Sequence, residues 1–204
     1  MNKNKMTWYN VSLFQFLSLQ DLLKIEDETD RLVSIAELLL GKDITELPIA
    51  EFNEKVKVLD FLKESIPEVN PPKKIEVNGR KYYTDCLLGN ITTAQYVDYT
   101  NHCKTNSYNK ILSVFVIPDG HKYNDGYDML QVMNDINDLP IPIVISMAFF
   151  FERQLATFTK IFQIYLIQKI KKAKVPKELK KNMIQMVENS MDLALYLSSL
   201  NSVK

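Results

Sequence analysis

The chain has 204 residues, 46% of them hydrophobic and 25% charged, which is enough apolar content for a sizeable core and too much for disorder. Lysines and arginines number 25 and acids 25, so the net charge is zero and the whole-molecule electrostatics of a nucleic-acid binder are missing. Two cysteines, Cys86 and Cys103, make no disulfide framework, and no signal-peptide order opens the chain, so a reducing cytoplasm is the expected setting.

Residues 1–6 are polar and expected to be loose. Ser12 is a helix N-cap with Gln15 in capping-box position, and Leu13, Phe14, Phe16, Leu17, Leu19, Leu22, Leu23 and Ile25 form a broad helical stripe behind it. After the acidic break at 26–30, Thr29 or Asp30 is expected to cap a second helix. It runs to Gly41, which suits a left-handed position just past a helix end, so the two helices make a hairpin. Residues 43–47 read as one turn. Pro48 stands where a helix start tolerates proline, and Phe52, Val56, Leu59, Phe61 and Leu62 mark a third helix ending near Ser65.

Pro67, Pro71 and Pro72 form a stiff connector and the best subdomain boundary. The period then changes. Residues 73–77 and 80–84 flank Asn78-Gly79, the strongest short-range hairpin signal, because both central residues of a type I′ turn need positive φ. A two-residue loop sets the register: Val77 faces Arg80, Glu76 faces Lys81 and Ile75 faces Tyr82. Thr92 caps the next helix with Gln95 in the box position, to about Thr105. Residues 111–117 are expected to be helical, although their run of Val114, Phe115, Val116 and Ile117 equally fits a buried strand. Residues 119–127 are a loop, and Asp128 caps a short helix through Asp138.

Leu139-Pro140-Ile141-Pro142 turns the chain into the longest helix candidate, residues 141–173. Its apolar stripe is Val144, Ala148, Phe151, Leu155, Phe158, Phe162 and Tyr165, in alternating steps of four and three. The uncharged run at 139–151 is closed by Asp138 and Glu152, well short of the roughly 20 apolar residues of a membrane span. After Pro176 a last helix carries Leu179, Met183, Met186, Val187, Met191, Leu195 and Tyr196. The expected fold is mainly α, a multi-helix bundle built on one long C-terminal helix with a small β-hairpin insertion. Its segments are 1–66, 67–91 and 92–204, packed as one compact unit.

Charge is unevenly spread. Residues 21–64 hold twelve acids against six bases, net −6, and residues 169–181 hold seven lysines against Glu178, net +6. These are either two solvated faces or the two ends of a head-to-tail contact between copies.

No catalytic, metal-binding or cofactor-binding residue is assigned. Cys86, His102, Cys103 and His121 are the only soft-ligand set, but adjacent His102 and Cys103 point about 100° apart on a helix, which does not suit zinc. Nothing local makes the same set a nucleophile and base pair. The loop at 118–128 fails as a calcium site, because aligning Gly126 with the sixth position puts His121 first, Tyr123 third and Val132 twelfth. Its glycines also lack phosphate-loop order. The tyrosines and lysines of the hairpin are read as packing, not as a nucleic-acid surface. The candidates for subunit contact are Asn78, Gly79, Tyr123, Tyr127, Lys171, Lys172, Met183 and Met186, from the turn, the aromatic loop, the lysine tract and the terminal methionine stripe.

Four blocks, VSLFQFLSLQDLL, IEVNGRKYYTD with ITTAQYVDYTNH, VFVIPDGHKYNDGYD and LPIPIVISMAFFF, together resemble small structural proteins of tailed bacteriophages, in particular the crAss-like phages. The resemblance spans most of residues 11–172. It implies a ring protein of the neck or tail barrel beneath the portal, or a tail assembly chaperone. It further implies no enzyme activity and a homo-oligomeric ring with portal or adjacent rings as partners; no cofactor is expected, and the residue patterns above predict no membrane span and no specific nucleic-acid binding. The expected place is the virion, after assembly in the host cytoplasm.

Overall fold

The computed structural model describes residues 5–84, 87, 89–105 and 107–200, with the side chains at 155, 158, 159, 162, 163 and 189–200 left undescribed. The protein is mainly helical, with a small three-stranded antiparallel sheet. The backbone forms two compact units, Met1–Cys86 with Ile91–Ala148, and Leu87–Asn90 with Phe149–Lys204. The proline connector lies inside the first of these.

In the first unit, a 3-10 turn at Trp8–Asn10 precedes α1 (Leu13–Leu22). Ser12 and Gln15 form the expected capping box, and the Gln15 amide also reaches the Leu38 carbonyl at 3.4 Å, fastening α1 to α2 (Glu28–Leu40). The cap of α2 is Asp27, not Thr29 or Asp30. Its carboxylate accepts from the Asp30 N–H at 2.8 Å, which leaves Glu28 and Asp30 inside the first turn, where acids complement the helix dipole. Gly41 ends α2 with φ 100° but ψ 158°, so the chain leaves extended instead of left-handed and enters a 3-10 turn at Lys42–Glu46.

α3 is shorter than expected, Ile49–Val56, and a 3-10 stretch at Lys57–Lys63 replaces its second half. Leu59 and Phe61 are both buried there. Residues two apart lie about 160° apart on an α-helix and about 120° apart on a 3-10 turn, so tighter winding turns both toward the core. Trp8 closes this corner. Its ring packs edge-on against Phe61 at 5.3 Å, and its indole N–H donates to the Glu64 carbonyl at 3.0 Å.

The hairpin of β1 (Lys74–Val77) and β2 (Arg80–Thr84) has the register read from its turn, and Asn78 and Gly79 take φ 51° and 73°. A third strand completes the sheet: residues expected as one helix divide into α5 (Tyr108–Ser113) and β3 (Val116–Pro118), which pairs with β2 through Tyr83 and Ile117. An apolar run without helical period takes either form, and the open edge of β2 decides it. α4 (Thr93–Cys103) is capped by Thr92 and Gln95 as expected, and the buried Gln95 amide donates to the Val114 carbonyl at 2.9 Å.

α6 (Met129–Asn137), capped by Asp128, packs on α5, α1 and β3. The core gathers Val11, Leu13, Leu112, Phe115, Val132 and Ile136 with Ile141, Val144 and Met147 of α7 (Ile141–Lys172). Paired backbone bonds pin the start of α1 to the start of α7: the Leu13 N–H to the Leu139 carbonyl and the Ile141 N–H to the Val11 carbonyl, both 2.9 Å.

The second unit holds the remainder of α7 and α8 (Lys177–Leu200). With 32 residues, α7 is about 48 Å long at 1.5 Å per residue. The Lys180 ammonium on α8 donates to the Lys171 carbonyl at 3.0 Å, which covers an open acceptor in the last turn of α7. Of the expected stripe, Val144 and Phe151 are buried while Tyr165 is half exposed; the side chains of Leu155, Phe158 and Phe162 lie outside the described residues. Among the described residues no helix is long and apolar enough to cross a membrane.

Candidate functional site

Alternation along the hairpin puts Arg80, Tyr82 and Thr84 on one face of β2, toward α6. There Arg80 and Tyr82 meet Asp135, which is 1% exposed, while the Thr84 hydroxyl donates to the Pro72 carbonyl. The Arg80 guanidinium engages it with Nε to Oδ2 at 2.6 Å and Nη2 to Oδ1 at 2.7 Å. The Tyr82 hydroxyl donates to Oδ2, and the amides of Asn78 and Gln131 donate to Oδ1 at 2.9 and 3.2 Å. Asn78 also reaches Asp138 at 2.8 Å.

The Arg80 bond holds the Asp135 carboxyl well below the usual carboxylate range, against the opposing effect of burial, with Tyr82 and Asn78 helping. Burial first, and then the bond to Asp135, pushes the Tyr82 hydroxyl up to about 12. A carboxylate stabilised this far is a poor proton acceptor, so the cluster is a structural clasp between hairpin and helix and is unsuited to general base chemistry.

A second tie fixes the aromatic loop. The Tyr123 hydroxyl donates to Asp98 on α4 at 2.7 Å, and the His121 and Tyr127 rings meet edge-on at 5.9 Å. Burial raises the pKa of both tyrosines. His102 and Cys103 are half-buried on α4, His121 is exposed on the loop, and Cys86 lies outside the described residues. Among the described residues, no three His, Cys, Asp or Glu side chains are grouped to hold a metal ion.

The eight contact candidates divide into three places. Asn78 and Gly79 are exposed at the hairpin tip, where the Asn78 side chain is already engaged by two acids of its own chain. Tyr123 and Tyr127 are half-buried in the loop. Lys171, Lys172, Met183 and Met186 are exposed in the second unit. In the same unit Ile161, Ile164 and Tyr165 on α7 and Leu179 on α8 are also exposed. Among the described residues none of the seven lysines of 169–181 forms an ion pair; Lys169 lies over the Tyr165 ring, 5.5 Å from its centroid.

Comparison with protein-family models, curated proteins and solved structures finds no match.

The Asp135 clasp is absent from the candidates read from sequence, yet two signals point to it. Arg80 falls on the apolar face of the hairpin by alternation. Asp135 interrupts the Val132 and Ile136 stripe of α6. A charge on each of two apolar faces calls for a partner, and here each is the other's.

Proposed function

We propose that the protein is a structural component of a tailed-phage virion, whose copies join into a ring of the neck or tail barrel between portal and tail. The four sequence blocks that resemble phage structural proteins support the phage setting. The observation that carries self-assembly is the surface of the second unit, where Ile161 is 61% and Met186 72% exposed. Large apolar side chains in helical step, such as Ile161, Ile164 and Tyr165 on α7, lower their free energy only when something covers them, and such exposed stripes favour an association surface. In this reading α7 is the long helix on which the bundle of each copy is built. The neighbours are further copies, the portal and adjacent rings, and the work is mechanical, without a cofactor or catalytic residue.

The exposed Met183 and Met186 also favour a second reading, a tail assembly chaperone that holds another tail protein through an adaptable methionine surface. Mass spectrometry of purified particles separates the two. The ring component is present at a fixed copy number per particle; its absence from particles, with presence in infected cells, overturns the ring and supports the chaperone.

A further inference from the structure

Seven lysines crowd the junction of α7 and α8, and their placement divides them. Lys169, Lys171 and Lys172 occupy the last turn of α7, where cations complement the negative end of the helix dipole. Lys177, Lys180 and Lys181 occupy the first turns of α8, the positive end, with Glu178 as the only acid among them. Local helix stability therefore accounts for the first group and for Lys180, which donates to the Lys171 carbonyl, and opposes Lys177 and Lys181. A cluster of net +6 within one junction adds self-repulsion.

The lysines continue an apolar face. At about 100° per residue, Ile164, Tyr165, Lys169, Lys171 and Lys172 all lie within about 80° of Ile161 around α7. On α8, Leu179, Met183 and Met186 follow in steps of four and three, all exposed, while Lys177, Lys180 and Lys181 lie about 100–160° around the helix from Leu179 and line a shallow depression there with Ile184 and Glu188. The C-terminal end of α7 thus presents apolar side chains edged by positive charge.

The complementary pattern lies in residues 21–64 of the same chain. Ile49, 81% exposed at the start of α3, stands between Glu46 and Glu51, and exposed Leu23 stands three residues before Glu26. All three acids are exposed, and among the described residues none of them forms an ion pair. Their segment carries net −6, equal and opposite to the lysine tract.

We infer that the lysine-edged end of α7 in one copy docks on the acidic segment of residues 21–64, through its exposed Leu23 or Ile49, in the next, giving a heterologous contact that repeats around a ring. The inference rests on the self-assembly proposed above and names its interface. Apolar contact supplies the affinity, and the opposite charges steer the approach and set the register. Such a contact consumes both surfaces in every copy and closes when the rotation between copies allows it.

The test is the solution mass of the full chain and of two charge-reversed variants. One carries Lys169→Glu, Lys171→Glu and Lys172→Glu, the other Glu26→Lys, Glu46→Lys and Glu51→Lys; every altered residue is exposed, and circular dichroism checks that each variant is folded. The expected result is a wild-type oligomer that weakens at least about tenfold between 50 mM and 500 mM salt. Each variant alone is a monomer, and an equimolar mixture of the two reassembles, because each supplies the charge the other lacks. If either folded variant assembles like the wild type, or the mixture stays monomeric while the wild type forms oligomers, this interface is wrong and self-assembly stands. A wild type that is monomeric throughout overturns both. If the lysine variant keeps the wild-type mass but loses binding to a 30-base-pair duplex that the wild type binds, the junction is a nucleic-acid contact and the inference fails.

Discussion

Arg80 holds Asp135 through two parallel bonds, Nε to Oδ2 at 2.6 Å and Nη2 to Oδ1 at 2.7 Å, and so joins a hairpin tip to a helix 55 residues further along the chain. The arginine is half open to water and the aspartate is buried, so the carboxylate depends on its donors far more than they depend on it.

Asp135→Asn keeps the shape but loses the ionic character of these bonds. We expect a loss of about 2 kcal/mol in urea unfolding at pH 7, the scale of hydrogen bonds to a charged group. Because the folded-state pKa is depressed, the wild-type benefit is fully present above the unfolded value near 4 and disappears as pH falls below it. The variant therefore shows a flatter stability profile between about pH 5 and pH 2.

Tyr82 works in the opposite direction. Its hydroxyl is pushed up to about 12, so its contribution is complete below the unfolded value near 10 and is lost as pH rises from about 10 to 12. Tyr82→Phe is expected to cost about 1 kcal/mol at pH 7. It should also remove one late-titrating phenol from the ultraviolet absorbance titration.

At the hairpin tip, Gly79 has φ 73°, a region an L side chain adopts at a cost, although a Cβ there meets nothing within 4 Å. Gly79→Ala is expected to destabilise by about 1 kcal/mol through backbone strain alone. Asn78→Gly keeps the turn but removes the bonds to Asp135 and Asp138, so its loss should shrink when measured in the Asp135→Asn background. A double-mutant cycle by chemical unfolding reads that coupling.

Two aromatic residues separate folding from assembly. Phe115 is buried in the first unit, and Phe115→Ala is expected to cost about 3–5 kcal/mol. Tyr165 is 51% exposed on α7, so Tyr165→Ala should leave the unfolding free energy of the monomer within about 0.5 kcal/mol while weakening self-association. Calorimetry and equilibrium sedimentation of the same samples distinguish the two outcomes.

Much of the fold was legible where a local rule decides it. Ser12 with Gln15, Thr92 with Gln95 and Asp128 are caps by residue type and spacing, and Asn78-Gly79 dictates its turn and register. Tertiary contact decides the fold where local preference is ambiguous or weak. Residues 116–118 become a strand because β2 has an open edge, and residues 57–63 tighten to bring both Leu59 and Phe61 inward. Asp27 displaces Thr29 and Asp30 as a cap because several capping residues stand together and any of them satisfies the pattern. The clasp was readable in principle from one misplaced charge on each apolar face. The exposure of α7 and α8 was not, because an apolar stripe looks the same whether its partner lies in the same chain or in another.

Self-association underlies the proposed ring, and the native mass of the full chain in solution tests it most directly. A light-scattering or native mass-spectrometric measurement at low salt is expected to give a discrete multiple of 23.7 kDa that falls as salt rises. A single 23.7 kDa species that persists to about 100 μM, some hundredfold above a micromolar dissociation constant, would contradict it.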